Sequence, residues 1–148
     1  MNLLNDICLA YEGAFKMISY LCNMNFLRSM LMVAMGGAVG SAMRYLTSKV
    51  IQDWLPNSFP YGTFAVNLLG CLVIGILYGL VDQNILGNNN LKLLLITGFC
   101  GGFTTFSTFS HESLSLVQQG HLSYAVLYVG GSICLGMIMV LIGIKLAG

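Results

Sequence analysis

The sequence predicts an all-α integral membrane protein with four transmembrane helices and a break in the third. Two features of its composition support the membrane location. Of the 148 residues, 57% are hydrophobic and only 7% are charged, whereas soluble domains carry roughly 25% charged residues. The third observation is a cluster of glycines and hydroxyl residues inside a long apolar stretch, between Gly98 and Glu112. Because glycine is a poor helix former, this cluster predicts non-helical backbone inside the membrane.

Four apolar stretches are long enough to cross a bilayer, which needs about 20 helical residues. In chain order they lie at about 29–50, 59–81, 91–117 and 122–144. The segments between them are short and contain residues typical of turns, at 53–60, 82–90 and 118–121. We therefore expect a single four-helix membrane domain over residues 25–148.

Residues 1–24 precede this domain as an N-terminal extension. No lysine or arginine precedes Lys16, and Asp6 and Glu12 interrupt the apolar run, which argues against a signal peptide. An interfacial helix and a poorly ordered segment are both compatible with this composition. Met24 is a second candidate start, so we expect that the functional chain does not need the whole extension.

Composition and spacing argue against several other classes of protein. The formal net charge of +1 favours neither nucleic acid nor an acidic partner. Five cysteines without a C-x-x-C pair predict neither a disulfide framework nor a metal site. Ser110, His111 and Glu112 are adjacent, and neighbours on a helix point in different directions, so they do not form a catalytic triad. We expect that the protein is not an enzyme.

Positive charges give little information on orientation in the membrane. Four spans put both termini on one side, and that side would carry four lysines and arginines against two on the other. The first group is Lys16, Arg28, Lys92 and Lys145, and the second is Arg44 and Lys49. Since this bias sets orientation and is weak here, the chain is compatible with insertion in both directions.

Polar side chains are rare in the spans, so each one is informative. Arg44 lies toward the end of the first span, and an arginine at a helix centre costs at least ~2.5 kcal/mol on insertion scales. It either reaches the interface as an anchor or contributes to an electropositive mouth or a bond to a helix end. Thr63 and Asn67 are four residues apart and share one helix face. They either bond to another helix or line a pore, and the sequence leaves both interpretations open.

The stretch GFCGGFTTFSTFSHE, Gly98 to Glu112, combines three glycines with three threonines and two serines. Irregular backbone at membrane depth is tolerated where it lines a cavity, and transport proteins use it to hold ions. A break near Gly101 to Ser107 therefore predicts an ion site. The positive ring edges of Phe106 and Phe109 would suit an anion, although phenylalanines at helical spacing are more often simple packing residues.

Hydroxyl donors and a missing charge indicate the sign of the ion. Six hydroxyl groups are available as donors: Thr105, Ser107, Thr108, Ser110 and, in the fourth span, Tyr128 and Ser132. No aspartate or glutamate lies at the centre of a span, whereas cation pathways are usually marked by carboxylates. The residues therefore favour an anion path.

Three motifs resemble the Fluc family of fluoride channels, also called CrcB proteins. They are GGAVGSAMRY (36–45), YGTFAVNLLG (61–70) and the glycine and hydroxyl stretch at 98–112, and the resemblance extends from about residue 25 to the C-terminus. It implies a passive fluoride channel in the cell inner membrane that exports fluoride and lowers its concentration in the cytoplasm. It also implies an antiparallel, dual-topology homodimer with two pores.

The resemblance also implies roles for individual residues. The backbone carbonyls of Gly101 and Thr104 would hold a structural sodium ion at the dimer centre. Arg44 matches the arginine that ends the first helix, and Glu112 matches a carboxylate near the pore mouth. The pore would be lined by Asn67, Phe106, Phe109, Tyr128 and Ser132, with Thr63, Thr105, Ser107, Thr108 and Ser110 as further polar residues.

Two other functions are compatible with parts of the sequence. A small dual-topology exporter of cationic compounds, of the multidrug type, would need a carboxylate deep in its first span, and residues 29–50 contain none. A membrane scaffold would explain the glycines but not the clustering of Asn67, Phe106 and Phe109. The fluoride channel accounts for all of these features together.

Overall fold

The structure, a computed structural model, describes residues 11–13, 15–19, 23–56 and 59–148. Its helices α1 (Met24–Trp54), α2 (Tyr61–Asp82) and α5 (Leu122–Ala147) are continuous, and the third span covers Asn89–Gln118. All four spans are long and apolar enough to cross a membrane, which confirms the predicted number of transmembrane helices. The described residues contain no strand. Of the extension at 1–24, positions 11–13 and 15–19 are helical, and most of the remainder lies outside the described residues.

The third span is built from two helices in line. Helix α3 (89–103) is α-helical over Asn89–Lys92, π-helical over Leu93–Cys100 and α-helical again over Gly101–Phe103. Thr104 and Thr105 have extended backbone angles, and helix α4 (Phe106–Gln118) follows them. Two residues of extended backbone therefore separate α3 from α4, and we call them the junction.

Capping residues define where the helices start and stop. The Asn23 side chain accepts from the Asn25 amide at 3.0 Å and starts α1, which ends shortly before Pro56. As a result α1 is longer than the predicted 29–50, because apolar residues mark the membrane section while the cap and the proline mark the helix ends. Asp53, predicted to lie in the connection, is helical.

Two helices end in the same hydrogen-bonding pattern. After α4, Gly120 has φ +79°, and the His121 amide donates to the Leu116 carbonyl at 2.9 Å. After α2, Asn84 has φ +59°, and the Ile85 amide donates to the Leu80 carbonyl at 3.1 Å. Both are Schellman motifs, in which a residue with positive φ reverses the chain, and they explain why the connections after α2 and α4 are short.

Glycines allow the helix pairs α1–α3 and α2–α5 to approach closely. A Cβ atom at Gly40 would meet the Phe99 carbonyl of α3, and a Cβ at Gly75 would meet the Val140 carbonyl of α5. Such small residues let backbones touch in a bilayer, where no hydrophobic force drives helices together. The two close pairs fix the positions of α2, α5 and the junction, and the candidate site lies among them.

Candidate ion pathway

The junction is held by one side chain of α2. Thr104 has φ −79° and ψ 158°, and Thr105 has φ −146° and ψ 123°. The Asn67 Oδ1 atom accepts from the Thr105 amide at 2.9 Å, and its Nδ2 atom donates to the Thr105 carbonyl at 3.2 Å. Asn67 thus satisfies both backbone polar groups of a residue that has left the helix. The structure thus shows a bond from Asn67 to another span, and its role in lining a pore stays a prediction.

Two carbonyls lose their usual helical donors at the junction. In an α-helix the amide of residue i donates to the carbonyl of residue i−4. The Thr105 amide donates to Asn67 instead of to Gly101, and the Thr108 amide donates to Thr105 Oγ1 at 3.3 Å instead of to Thr104. The carbonyls of Gly101 and Thr104 are therefore free of these helical bonds, and they are the pair implied by the family resemblance.

The Thr104 side chain fits the junction against α2. Its Oγ1 atom donates to the Cys100 carbonyl at 2.9 Å, and its methyl group occupies the space that a Cβ at Gly70 would need. Gly70 must therefore lack a side chain for Thr104 to take this position. Gly101, in contrast, has no heavy atom within 4 Å of where its Cβ would lie, so it faces away from the rest of its own chain.

Arg44 binds the end of α3. Its Nε atom donates to the Gly102 carbonyl at 3.2 Å, and Ser41 Oγ lies 3.5 Å from the same oxygen. Carbonyls in the last turn of a helix lack intrahelical donors, and a cation there also interacts favourably with the helix dipole. Of the alternatives for Arg44, the structure shows the bond to a helix end.

A cavity of about 370 Å³ lies between α2, the junction and α5, and we call it the phenylalanine cavity. All ten residues that line it are uncharged. Its polar members are Asn67, Cys71, Thr104, Thr105 and Ser132, and its aromatic members are Phe106 and Phe109. The cavity brings together five of the ten residues predicted to line a pore.

The two phenylalanines begin α4 and differ in their surroundings. Their ring centroids lie 6.0 Å apart with an interplanar angle of 39°. The Phe106 ring is 80% exposed on the single chain, whereas Phe109 is partly buried and contacts the Tyr128 ring at 5.0 Å between centroids. Only Phe106 therefore presents most of its surface outward.

A second cavity, of about 430 Å³, is also lined by Thr105, and we call it the arginine cavity. Its charged lining residues are Arg44, Lys49 and Asp53, and its polar ones include Thr63 and Thr108. Thr105 lines both cavities. The residue bound by Asn67 therefore lines both a charged cavity and an uncharged one.

Glu112 accepts two hydrogen bonds inside the chain. Thr63 Oγ1 donates to its Oε1 atom and the Tyr128 hydroxyl donates to its Oε2 atom, both at 2.8 Å. Tyr128 is completely buried and Thr63 nearly so. The carboxylate also borders a small cavity of about 200 Å³ with His111. Glu112 of α4 is thus hydrogen-bonded to one side chain of α2 and to one side chain of α5.

Three of the predicted hydroxyls have different surroundings. Ser110 is exposed and donates to the Phe106 carbonyl at 2.9 Å, a bond within its own helix. Ser107 is exposed, with its Oγ 3.4 Å from Thr105 Oγ1. Neither serine lines the phenylalanine cavity or the arginine cavity. Ser132 does line the phenylalanine cavity, and its buried Oγ has no hydrogen-bond partner among the described residues.

Sequence reasoning missed two residues of the site. Cys71 lies one helical turn after Asn67 and lines the phenylalanine cavity, and Lys49 adds a second cation to the arginine cavity. The i, i+4 spacing from Asn67 was the signal for Cys71. Nothing in the sequence indicated that Lys49 would lie near the junction, because this depends on how α1 packs against the third span.

The comparisons with known proteins agree on a single family. Residues 31–144 match the family model described as "CrcB-like protein, Camphor Resistance (CrcB)". This match includes α2, the third span, the junction and nearly all of α5.

Individual relatives agree with the family match. The chain is 47% identical over 118 residues to the fluoride-specific ion channel FluC of Phocaeicola vulgatus, covering 80% of this chain and 97% of the relative. It is 40% identical over 121 residues to the protein of the same name from Flavobacterium psychrophilum, covering 82% and 98%. A third, from Nitratidesulfovibrio vulgaris, is 41% identical over 118 residues, covering 80% and 95%. The similarity therefore spans nearly the whole of each relative.

Proposed function

The chain belongs to the CrcB family, and from that premise we propose that it is a fluoride-selective channel that exports fluoride passively. Its relatives carry the name fluoride-specific ion channel, not the name of an enzyme or an exporter. The observation that carries the proposal is the uncharged phenylalanine cavity, lined by amide, hydroxyl and phenyl groups beside the junction. The protein itself is a multi-pass membrane protein, and we place it in the cell inner membrane.

The chemistry of the cavity suits a small anion. Fluoride is strongly hydrated, so a pore must replace water with close donors. The Asn67 amide, the Ser132 hydroxyl and the edges of Phe106 and Phe109 can supply donors or positive ring edges. The cavity lining has no carboxylate to repel an anion. The positive residues of the arginine cavity would raise the local concentration of fluoride before it reaches Thr105.

We further propose an antiparallel homodimer. Phe106 is 80% exposed and Gly101 faces open space on the single chain, so both are available to a second copy. The weak bias of positive charges is compatible with subunits inserted in opposite directions. In this arrangement Phe106 would line a pore together with residues of the other subunit.

A structural sodium ion fits the junction. Among the described residues no three His, Cys, Asp or Glu side chains cluster as metal ligands, so the cation would depend on backbone oxygens. The carbonyls of Gly101 and Thr104 have lost their helical donors to Asn67 and Thr105, which leaves their lone pairs available. Sodium would be coordinated by these carbonyl oxygens and would hold the two junctions together.

The decisive experiment reconstitutes purified protein in liposomes loaded with fluoride or with chloride and follows anion release with selective electrodes. We expect rapid fluoride release and negligible chloride release. An absence of fluoride release, or equal rates for both anions, would contradict the proposed function. Empty liposomes provide the control for leakage.

A further inference from the structure

We propose that the Cys71 thiol is a modification site on the wall of the fluoride path, so that small thiol-reactive compounds block conduction through this protein. The predicted block of conduction rests on the proposed function, whereas the accessibility of the thiol does not depend on it. The ligand class is a small neutral electrophile that transfers a sulfur group, with methyl methanethiosulfonate as the probe.

The first observation is the position of the thiol. Cys71 lies one helical turn from Asn67, so the two side chains share a face of α2. Both line the phenylalanine cavity, together with the two phenylalanines. The Cys71 side chain is partly exposed, whereas Cys100 is 1% exposed and packs in a hydrophobic cluster. Of these two thiols only that of Cys71 is open to a cavity.

The second observation concerns α5, on the facing wall. The Cys71 Sγ atom lies 3.4 Å from where a Cβ at Gly136 would be, an ordinary packing distance, so the thiol packs beside this glycine of α5. One turn earlier on α5, the buried Ser132 hydroxyl lines the same cavity and has no hydrogen-bond partner among the described residues. A buried polar group without a partner is commonly satisfied by an ordered water or an ion, and the adjacent cavity has room for one.

The reaction needs no component beyond the thiol and the reagent. The Cys71 thiolate attacks the divalent, methyl-bearing sulfur of methyl methanethiosulfonate, and a new S–S bond forms as the S–SO₂ bond breaks. Methanesulfinate leaves with the electron pair, and the thiol proton passes to buffer. The product carries an added S–CH₃ group. Because Cys71 lines the cavity of about 370 Å³, this group occupies part of the space beside Asn67.

The test measures fluoride efflux from liposomes before and after treatment, with each variant compared to its own untreated rate. In the wild-type protein we expect at least a tenfold loss of rate, restored by dithiothreitol. The variants C71S and C71A should lose this sensitivity, and two substitutions are used because either could alter packing against Gly136. The matched control is C134S, which removes the exposed thiol of Cys134 on α5, whereas Cys71 lies on α2. The fluoride efflux of C134S should remain sensitive to the reagent.

Mass spectrometry of the treated protein measures how completely the Cys71 thiol is labelled, independently of the fluoride rate. An absence of fluoride conduction in the untreated wild-type protein would contradict the proposed function. Labelling of Cys71 in the same protein would still support the modification site. A Cys71 that stays unlabelled when Cys134 is labelled overturns the inference. Complete labelling of Cys71 with an unchanged fluoride rate overturns it as well.

Discussion

Replacing Asn67 by aspartate tests whether the junction depends on the amide. Asn67 makes two hydrogen bonds to Thr105, at 2.9 and 3.2 Å. Aspartate keeps the acceptor for the Thr105 amide but removes the donor to the Thr105 carbonyl. The Thr105 carbonyl is then left without its side-chain donor, and an unsatisfied buried acceptor costs about 1–3 kcal/mol. The substitution therefore disfavours the observed backbone by about 1–3 kcal/mol.

This loss has a measurable size. Since 1.4 kcal/mol is a factor of ten in an equilibrium constant, the equilibrium constant for the intact junction falls by at least roughly fivefold. The new negative charge also repels an anion in the phenylalanine cavity. We expect both effects to lower the rate of fluoride efflux from liposomes well below the wild-type rate, while size-exclusion chromatography in detergent still shows a folded protein.

A matched control tests the same substitution away from the junction. Asn89→Asp makes the same change at an exposed position at the start of α3 and should conduct fluoride at the wild-type rate. A wild-type rate in Asn67→Asp would refute the role given to the amide. Loss of the folded oligomer in Asn67→Asp would show instead that the amide is needed for folding as a whole.

Four further predictions concern packing, capping, the pore and the cation. Gly40→Ala should lower the thermal midpoint, because its methyl group meets a backbone carbonyl and overpacking costs about 1–3 kcal/mol; Gly37→Ala, whose nearest contact is at 3.8 Å, should not. Arg44→Ala should lose about 1.5–3 kcal/mol of stability with its charged hydrogen bond, and Arg28→Ala at the exposed start of α1 should change nothing in the same melt. Phe106→Ile should greatly reduce fluoride efflux with the oligomer intact, and a wild-type rate would remove Phe106 from the pore. Preparing the protein in N-methylglucamine instead of sodium should reduce both fluoride efflux and the stability of the oligomer. Unchanged efflux and stability would contradict a structural cation.

The number and order of the spans follow from the sequence because apolar length is a local property. Each span exceeds about 20 apolar residues, and a bilayer requires no more than that. The glycines and threonines from Gly98 onward also indicate locally where regular helix is unfavourable. The family resemblance then named the residues that lie at the junction.

The partners of the polar side chains depend on packing between distant segments and are not local. Glu112 receives bonds from Thr63 and Tyr128, which lie on two other helices. The need for glycine at position 70 appears only when Thr104 is packed against it. Hydropathy and spacing do not encode such distances, so the sequence identified the polar residues but not the bonds between them.

The measurement that tests the central claim most directly is the reversal potential of reconstituted protein in a planar bilayer with fluoride on one side and chloride on the other. A fluoride-selective path predicts a large potential that follows the fluoride gradient and does not move when chloride is replaced by a larger anion. A potential near zero, or one that follows chloride, would contradict the account of the phenylalanine cavity as a fluoride path.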